Sequence, residues 1–297
     1  MQLSKRILIL AFIISVLFIY GIPSLADQPD PAPWLLTQYP DDSGNQGLFY
    51  SILNQRTGTL ILIDGGNPEN AERVRQVIED SGSKVDYWFL THYHGDHISA
   101  FNALYPEYKD KIGTIYINPL DWESFSAVAK YWDTPEAFSL FLEQTKDADN
   151  VITLYTGDEL DIDNIHIKVF SAFDEHVREL STDWPNDSSL VFKMQFEQDS
   201  VLFMGDLARG AIPLGEYLVE TYGDELHADY VQSGHHGNWG LPISFYEVIK
   251  PKVLFQDAPE WVMVGEDYDA KDLKAWCDEH GIETHDYRDA PTSFVLH

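Results

Sequence analysis

Three observations predict an α/β chain, a single domain with two sheets and outer helices. Short apolar runs of strand length alternate with helix-patterned segments in both halves, and no short internal repeat appears. At 297 residues and 44% hydrophobic, the chain can bury one large core. Four of the apolar runs stop abruptly at residues able to bind a metal or a proton: Ile63-Asp64-Gly65-Gly66, Leu90-Thr91-His92, Met204-Gly205-Asp206 and Ser233-Gly234-His235-His236. Strand ends that meet at one edge of a pair of sheets converge on one cleft.

The first residues stand apart from that domain. Lys5 and Arg6 precede the apolar run Ile7 to Ile22, and Ser24-Leu25-Ala26 closes it with small residues at its first and third places. This is the layout of a secretory signal cut after Ala26, which makes 1–26 a signal peptide and the working protein secreted or extracytoplasmic. An uncleaved anchor is the alternative, because the run is near the short limit for spanning a bilayer. With the signal cut, no stable membrane association is expected. Asp27 to Trp34 is rich in proline and acid. Residues 27–45 therefore read as an exposed lead-in, and 46–297 as the domain.

Within the domain, Phe49 to Leu53 and Thr59 to Ile63 read as a hairpin about Arg56-Thr57-Gly58. A helix follows, with Asn67 as cap, Pro68 in first position and Val74, Val77 and Ile78 on its apolar face. Val85 to Leu90 is a strand, Ile98, Phe101 and Leu104 lie at helical spacing, and Ile112 to Ile117 is a strand. The aromatic stretch Leu120 to Gln144 reads as helical, a lid or one wall of a cleft. The second half opens with strands around Ile152 to Tyr155 and Ile165 to Phe170, and a long polar loop runs from Ser171 to Asp187. Ser189 to Met194 pairs with Ser200 to Met204. A helix holding Leu214, Tyr217 and Leu218 ends near Gly223, and Asp229 to Ser233 is a short strand. Val253 to Gln256, a helix from Ala270 to His280, and strands at Ile282 to Tyr287 and Ser293 to Leu296 complete the order.

Charge and cysteine narrow the function classes. The formal net charge is −30, and the signal-like segment holds two basic residues and no acids, so the remainder is more acidic still. Such a surface repels phosphate backbones at long range, which excludes tight nucleic-acid binding through a basic patch. A metal ion can still attract a single phosphate locally. The one cysteine, Cys277, forms no internal disulfide and follows Leu273 and Trp276 at helical spacing, as a small buried hydrophobe does.

Thr91-His92-Tyr93-His94-Gly95-Asp96-His97 carries the chemistry. It puts four potential ligands between a buried strand and a helix N-terminus, supports rigid enough to hold them in place. Imidazole with carboxylate suits Zn²⁺, and also Mn²⁺ or Fe²⁺. A metal lowers the pKa of its water to about 7, and a second ion about 3.5–4 Å away holds the scissile oxygen, so no serine or cysteine nucleophile is needed. Gly-x-Ser-x-Gly is absent. Tyr93 either faces substrate or packs on its loop; Trp132, Trp184 and Trp239 either line a cleft or pack.

On His92, His94, Asp96 and His97, the chain resembles the metallo-β-lactamase superfamily, whose His-x-His-x-Asp-His signature they complete. In its second half, Asn186-Asp187-Ser188-Ser189-Leu190-Val191, Met204-Gly205-Asp206 and His235-His236-Gly237 are similar to the hydrolase domain of the competence-protein ComEC/Rec2 group. The resemblance implies a four-layer αββα sandwich and a site of one or two Zn²⁺ ions, or of Mn²⁺. It assigns His92 and His94 to a first ion. Asp96, His97 and His235 (or His236) go to a second, and Asp206 bridges the two. Asp64 would orient ligands through hydrogen bonds. Catalytic work falls to Asp96, Asp206 and His236. The chain departs from the pattern at the third histidine of the first ion, where Asn186 stands with Asp187 beside it and His176 in the same loop. The activity implied is hydrolysis of a phosphoester or phosphodiester, in a nucleic acid or a cell-wall or lipid substrate. A β-lactam or other amide or ester hydrolase, and a non-catalytic metal-binding module, are the alternatives.

Overall fold

The segment Leu60-Ile61-Leu62-Ile63 has no polar alternation because its strand is covered on both faces. Leu60 and Leu62 pack with Val74 and Ile78 of the helix Ala71–Asp80. Ile61 and Ile63 pack in a second core with Phe192 and Phe203 of the opposite sheet. The period of two thus sends alternate residues to a helix layer and to a sheet layer. The same split recurs at Trp88 and Leu90 against Phe89.

The computed structural model describes residues 33–208 and 212–297. The signal-like segment 1–26 lies outside the described residues. Two seven-stranded sheets hold the fold together. The first is built from β1 (Trp34–Gln38), β2 (Phe49–Asn54), β3 (Leu60–Asp64), β4 (Val85–Leu90), β5 (Ile112–Ile117) and β6 (Val151–Thr153). The second runs through β7 (Glu159–Ile162), β8 (Ile165–Ser171), β9 (Val191–Gln195), β10 (Ser200–Phe203), β11 (Tyr230–Gln232), β12 (Val253–Phe255) and β13 (Glu283–His285). The last strand, β14 (Thr292–Leu296), returns to the first sheet beside β1. In each sheet three neighbouring pairs are parallel: β3 to β6 in one, β10 to β13 in the other. Phe89 stacks on Phe192 at 5.0 Å, and Tyr50 meets Phe203 edge-on at 5.3 Å, closing the space between the sheets. Helices cover the outer faces, so the order of layers is helix, sheet, sheet, helix, and residues 32–297 form one compact unit.

Four features depart from the sequence reading. The lead-in expected over 27–45 is not exposed throughout: Trp34 and Leu36 are fully buried in β1, which pairs with β2 and β14, so the domain begins before residue 46. Its strand character depends on a partner some 260 positions away in sequence, Trp34 opposite Leu296, and local pattern does not carry it. β7 is a short alternating strand in a stretch to which the sequence reading assigns no element. The polar loop 171–187 contains two short helices, Glu175–Leu180 and Trp184–Asp187. The stretch Leu120 to Gln144 is broken at Thr134, whose φ of 48° ends one turn and starts the helix Pro135–Thr145. Among the described residues no helix is long and apolar enough to cross a membrane.

Candidate metal centre

The C-terminal ends of parallel β3 and β4, and of parallel β10 and β11, point their following turns at the edge where the two sheets meet. Loops at such strand ends are where α/β sheets place ligands. Asp64, the last residue of β3, has φ of 52°, which turns its carboxylate sideways beneath the next strand. There Oδ1 accepts the Thr91 N–H at 2.7 Å, and Oδ2 accepts the Thr91 hydroxyl at 2.6 Å and the His97 Nδ1–H at 2.7 Å. The helix Gly95–Tyr108 then starts with His94 as its N-cap, fixing His97 one turn in.

Two sets of ligand atoms result. Asp96, His97, Asp206 and His236 form one, and His92, His94 and Asp206 the other; within each set every atom lies within 4.8 Å of the rest. In the first set His97 Nε2 is 3.1 Å from Asp206 Oδ1, and His236 Nε2 is 3.2 Å from Asp206 Oδ2 and 3.3 Å from Asp96 Oδ2. In the second, His92 Nε2 is 3.8 Å from Asp206 Oδ2. Asp206 belongs to both.

These residues fit metal ions. The Nε2 atoms of His92, His94, His97 and His236 and the Oδ1 of Asp206 are buried with no hydrogen-bond partner. Buried polar atoms left without partners cost free energy, and so many in one place mark a shared missing partner. The charges agree. Burial works against a positive His236, yet the carboxylates of Asp206 and Asp96 outweigh it and hold the ring at about 10. Burial likewise opposes a charged His97, but Asp206, Asp64 and Asp96 carry it well above the ordinary range. Burial and the neighbouring His97 push His92 well below. Without ions, protonated imidazoles supply the positive charge that the carboxylates demand.

The structure brings together His92, His94, Asp96, His97, Asp206 and His236, with Asp64 under His97. It does not bring in His235, the residue placed first for the second ion. Its Nδ1 donates to the Asn238 carbonyl at 2.5 Å, and the ring turned into the cluster is that of His236. Both sit in a left-handed turn, with φ of 50° and 60°. Asn186 donates from Nδ2 to Asp183 at 2.9 Å, and its Oδ1 is buried and unpartnered. Asp187 is spent on other partners, accepting from Ser181 Oγ in its own loop at 2.5 Å and from the Ala208 N–H beyond β10 at 3.1 Å. His176 stacks on Tyr217 at 4.4 Å, away from the cluster. Tyr93 packs, stacked on Phe138 at 3.7 Å with its hydroxyl donating to the Asn118 carbonyl.

Sequence reasoning missed Asp133. It is buried, and its Oδ1 lies 3.3 Å from His94 Nε2. It also lines a cleft of about 610 Å³ with Lys130, Trp132, Arg178 and Trp184. Trp132 is 62% exposed there, and the Arg178 guanidinium lies over the rings of Phe173 and Trp184 at 4.1 and 5.5 Å. The aromatic richness of Leu120 to Gln144 was the one signal pointing to this wall.

A family model described as the metallo-beta-lactamase superfamily matches residues 44–246. Among solved structures, CmlA, a diiron β-hydroxylase from Streptomyces venezuelae, is 14% identical with a TM-score of 0.57, over 91% of this chain and 55% of that one. This chain therefore spans about half the length of that protein. The metallo-β-lactamase fold protein YhfI from Bacillus subtilis is 13% identical with a TM-score of 0.54, over 89% of this chain and 100% of that one. Igni18, a metallo hydrolase from Ignicoccus hospitalis, is 12% identical with a TM-score of 0.51, over 89% and 100%. At these identities the likeness is one of fold. No curated protein matches the chain.

Proposed function

The chain belongs to the metallo-β-lactamase superfamily, and from that membership we propose that it is a metal-dependent hydrolase of phosphoesters or phosphodiesters working outside the cytosol. The observation that carries the reading is the pair of ligand sets sharing Asp206, with their facing nitrogens buried and unpartnered. Divalent ions held there, Zn²⁺ or Mn²⁺, would supply an acidified water and positive charge beside the reacting oxygen. The protein's own groups do the rest. Asp96 is the partly exposed carboxylate of the cluster, with Oδ2 3.3 Å from His236 Nε2, and would be the group to hold a proton there. Asp64 fixes the His97 tautomer by accepting its Nδ1–H, leaving Nε2 free.

Substrate class rests on the neighbouring cleft. In a chain of net charge −30, Lys130 and Arg178 bring two cations to the wall that Asp133 shares with the cluster, where Asp133 and Asp183 are the acids and Arg178 also lies 3.6 Å from Asp121. Beside a metal pair, these cations would favour an anionic phosphoryl group, and Trp132 and Trp184 would offer rings to what is attached to it. The likeness of Asn186 to Val191 and of Met204-Gly205-Asp206 to the competence-protein group supports the same class. The overall acidity favours a small or cell-surface phosphodiester over a nucleic acid. The signal-like pattern from Lys5 to Ala26 supports the compartment.

The test is hydrolysis of bis-p-nitrophenyl phosphate by the metal-loaded protein, with a chromogenic β-lactam run in parallel. Turnover on the phosphodiester should fall at least about 100-fold in Asp96→Asn. Phosphodiester turnover that survives His94→Ala combined with Asp96→Ala, or turnover on the β-lactam alone, would overturn the reading.

A further inference from the structure

We infer that Asp133 supplies the ligand the first ion otherwise lacks, replacing from a different segment the histidine absent at position 186. This rests on the two-ion reading of the centre. Asp133 is 2% exposed, its Oδ1 has no hydrogen-bond partner, and the His94 Nε2 that it approaches to 3.3 Å has none either. The pair thus lies within hydrogen-bonding distance without making the bond. Two atoms each bound to one tetrahedral ion at about 2.0–2.2 Å stand about 3.3–3.5 Å apart, the separation observed here.

The segment that carries Asp133 is braced by a bond of its own and tied to the histidine loop at two points. Oδ2 accepts the Lys130 backbone N–H, which commits one carboxylate oxygen and leaves Oδ1 for His94. Thr134 Oγ1 accepts the Gly95 N–H at 2.6 Å. Phe138, in the following helix, stacks on Tyr93. Asn186 offers only a neutral amide oxygen, and its other end is held by Asp183. A carboxylate adds the negative charge that a divalent ion prefers. Asp133 meets His94 but stands outside the compact set of His92, His94 and Asp206; drawn onto the first ion, it would give the two ions matching donors, with His97, His236, Asp96 and Asp206 on the other. Two imidazoles with two carboxylates is an oxygen-rich set that accepts Mn²⁺ or Fe²⁺ as well as Zn²⁺.

Calorimetric titration of the full metal-free protein with Zn²⁺ and with Mn²⁺, plus metal content after dialysis, tests this. Wild type should take two ions per chain. Asp133→Asn should keep one and weaken the other by about 100-fold or more, Asp133→His should restore Zn²⁺ binding, and Asn186→Ala should keep both. Two ions bound to Asp133→Asn with wild-type affinity would overturn the inference while leaving the two-ion reading intact, as would loss of an ion in Asn186→Ala alone. A single ion in wild type would overturn both. Should Asp133→Asn melt far below wild type when metal-free, a crystal of the metal-loaded wild type decides. Asp133 Oδ1 within about 2.2 Å of the ion on His92 and His94 supports the assignment, and another atom in that place overturns it.

Discussion

Asp64 Oδ2 accepts the His97 Nδ1–H at 2.7 Å, and both side chains are fully buried. The bond fixes which nitrogen of His97 faces the ligand cluster. Asp64→Asn keeps the shape and tolerates the left-handed backbone at φ 52°, but offers only one acceptor for Thr91 and His97 together. We expect affinity for the ion on His97 to fall about 10–100-fold, read by titration, with the metal-free melting temperature changed far less. Equal affinity in the variant would remove Asp64 from the account.

Metal removal should destabilise the fold and take up protons. Each ion present at about 100 times its Kd adds about 2.7 kcal/mol, which for a domain of this size is about 5–10 °C in melting temperature. Chelation should lower the melting point by at least that and restored metal should recover it. Because His97 and His236 are held protonated without ions, metal binding should also release protons, measurable as a buffer-dependent binding enthalpy. A binding enthalpy that is the same in all buffers contradicts this.

Asp187 sets a pH dependence of stability. Burial pushes its carboxyl from 3.8 up to about 8, against hydrogen bonds from Ser181 and Ala208 that favour the charged form. Between those values the folded protein holds a proton that the unfolded chain has lost. The stability due to this group is full below about pH 4 and is lost as pH rises through about 8. Asp187→Asn, which can still accept from Ala208 and donate to Ser181, should therefore gain on wild type as pH rises from 5 to 8. Melting of the chelated proteins across that range checks it, and a constant difference would contradict the assignment.

Gly205 holds Asp206 in place through a backbone no larger residue fits. Its φ is 51°, and an added Cβ would lie 2.7 Å from Ser189 Oγ and 3.0 Å from the Thr91 Cβ. Gly205→Ala should cost about 2–4 kcal/mol in denaturant unfolding, from strain and overpacking together. Because Thr91 and Asp206 are both displaced, metal content should fall as well; a variant with unchanged stability and metal content would contradict this.

The parts of the site that follow from local pattern were legible. Apolar strands ending in Asp64, His92 and Asp206 are short-range features, and the periodicity that placed β3, β4, β5 and the helix Ala270–His280 depends only on near neighbours. What was not legible depends on distance or on turn geometry. β1 is a strand because β2 and the C-terminal β14 flank it. His236 rather than His235 enters the cluster from a left-handed turn whose backbone angles no local sequence pattern gives. Asp133 reaches His94 from a segment with no ligand spacing, carried by packing of Phe138 on Tyr93.

Turnover of a phosphodiester reporter, followed as metal is added back to the chelated protein, tests the two-ion hydrolase most directly. The account predicts that activity climbs with added metal and reaches its plateau at two ions per chain. A full plateau at one ion, or no turnover with both bound, would contradict it.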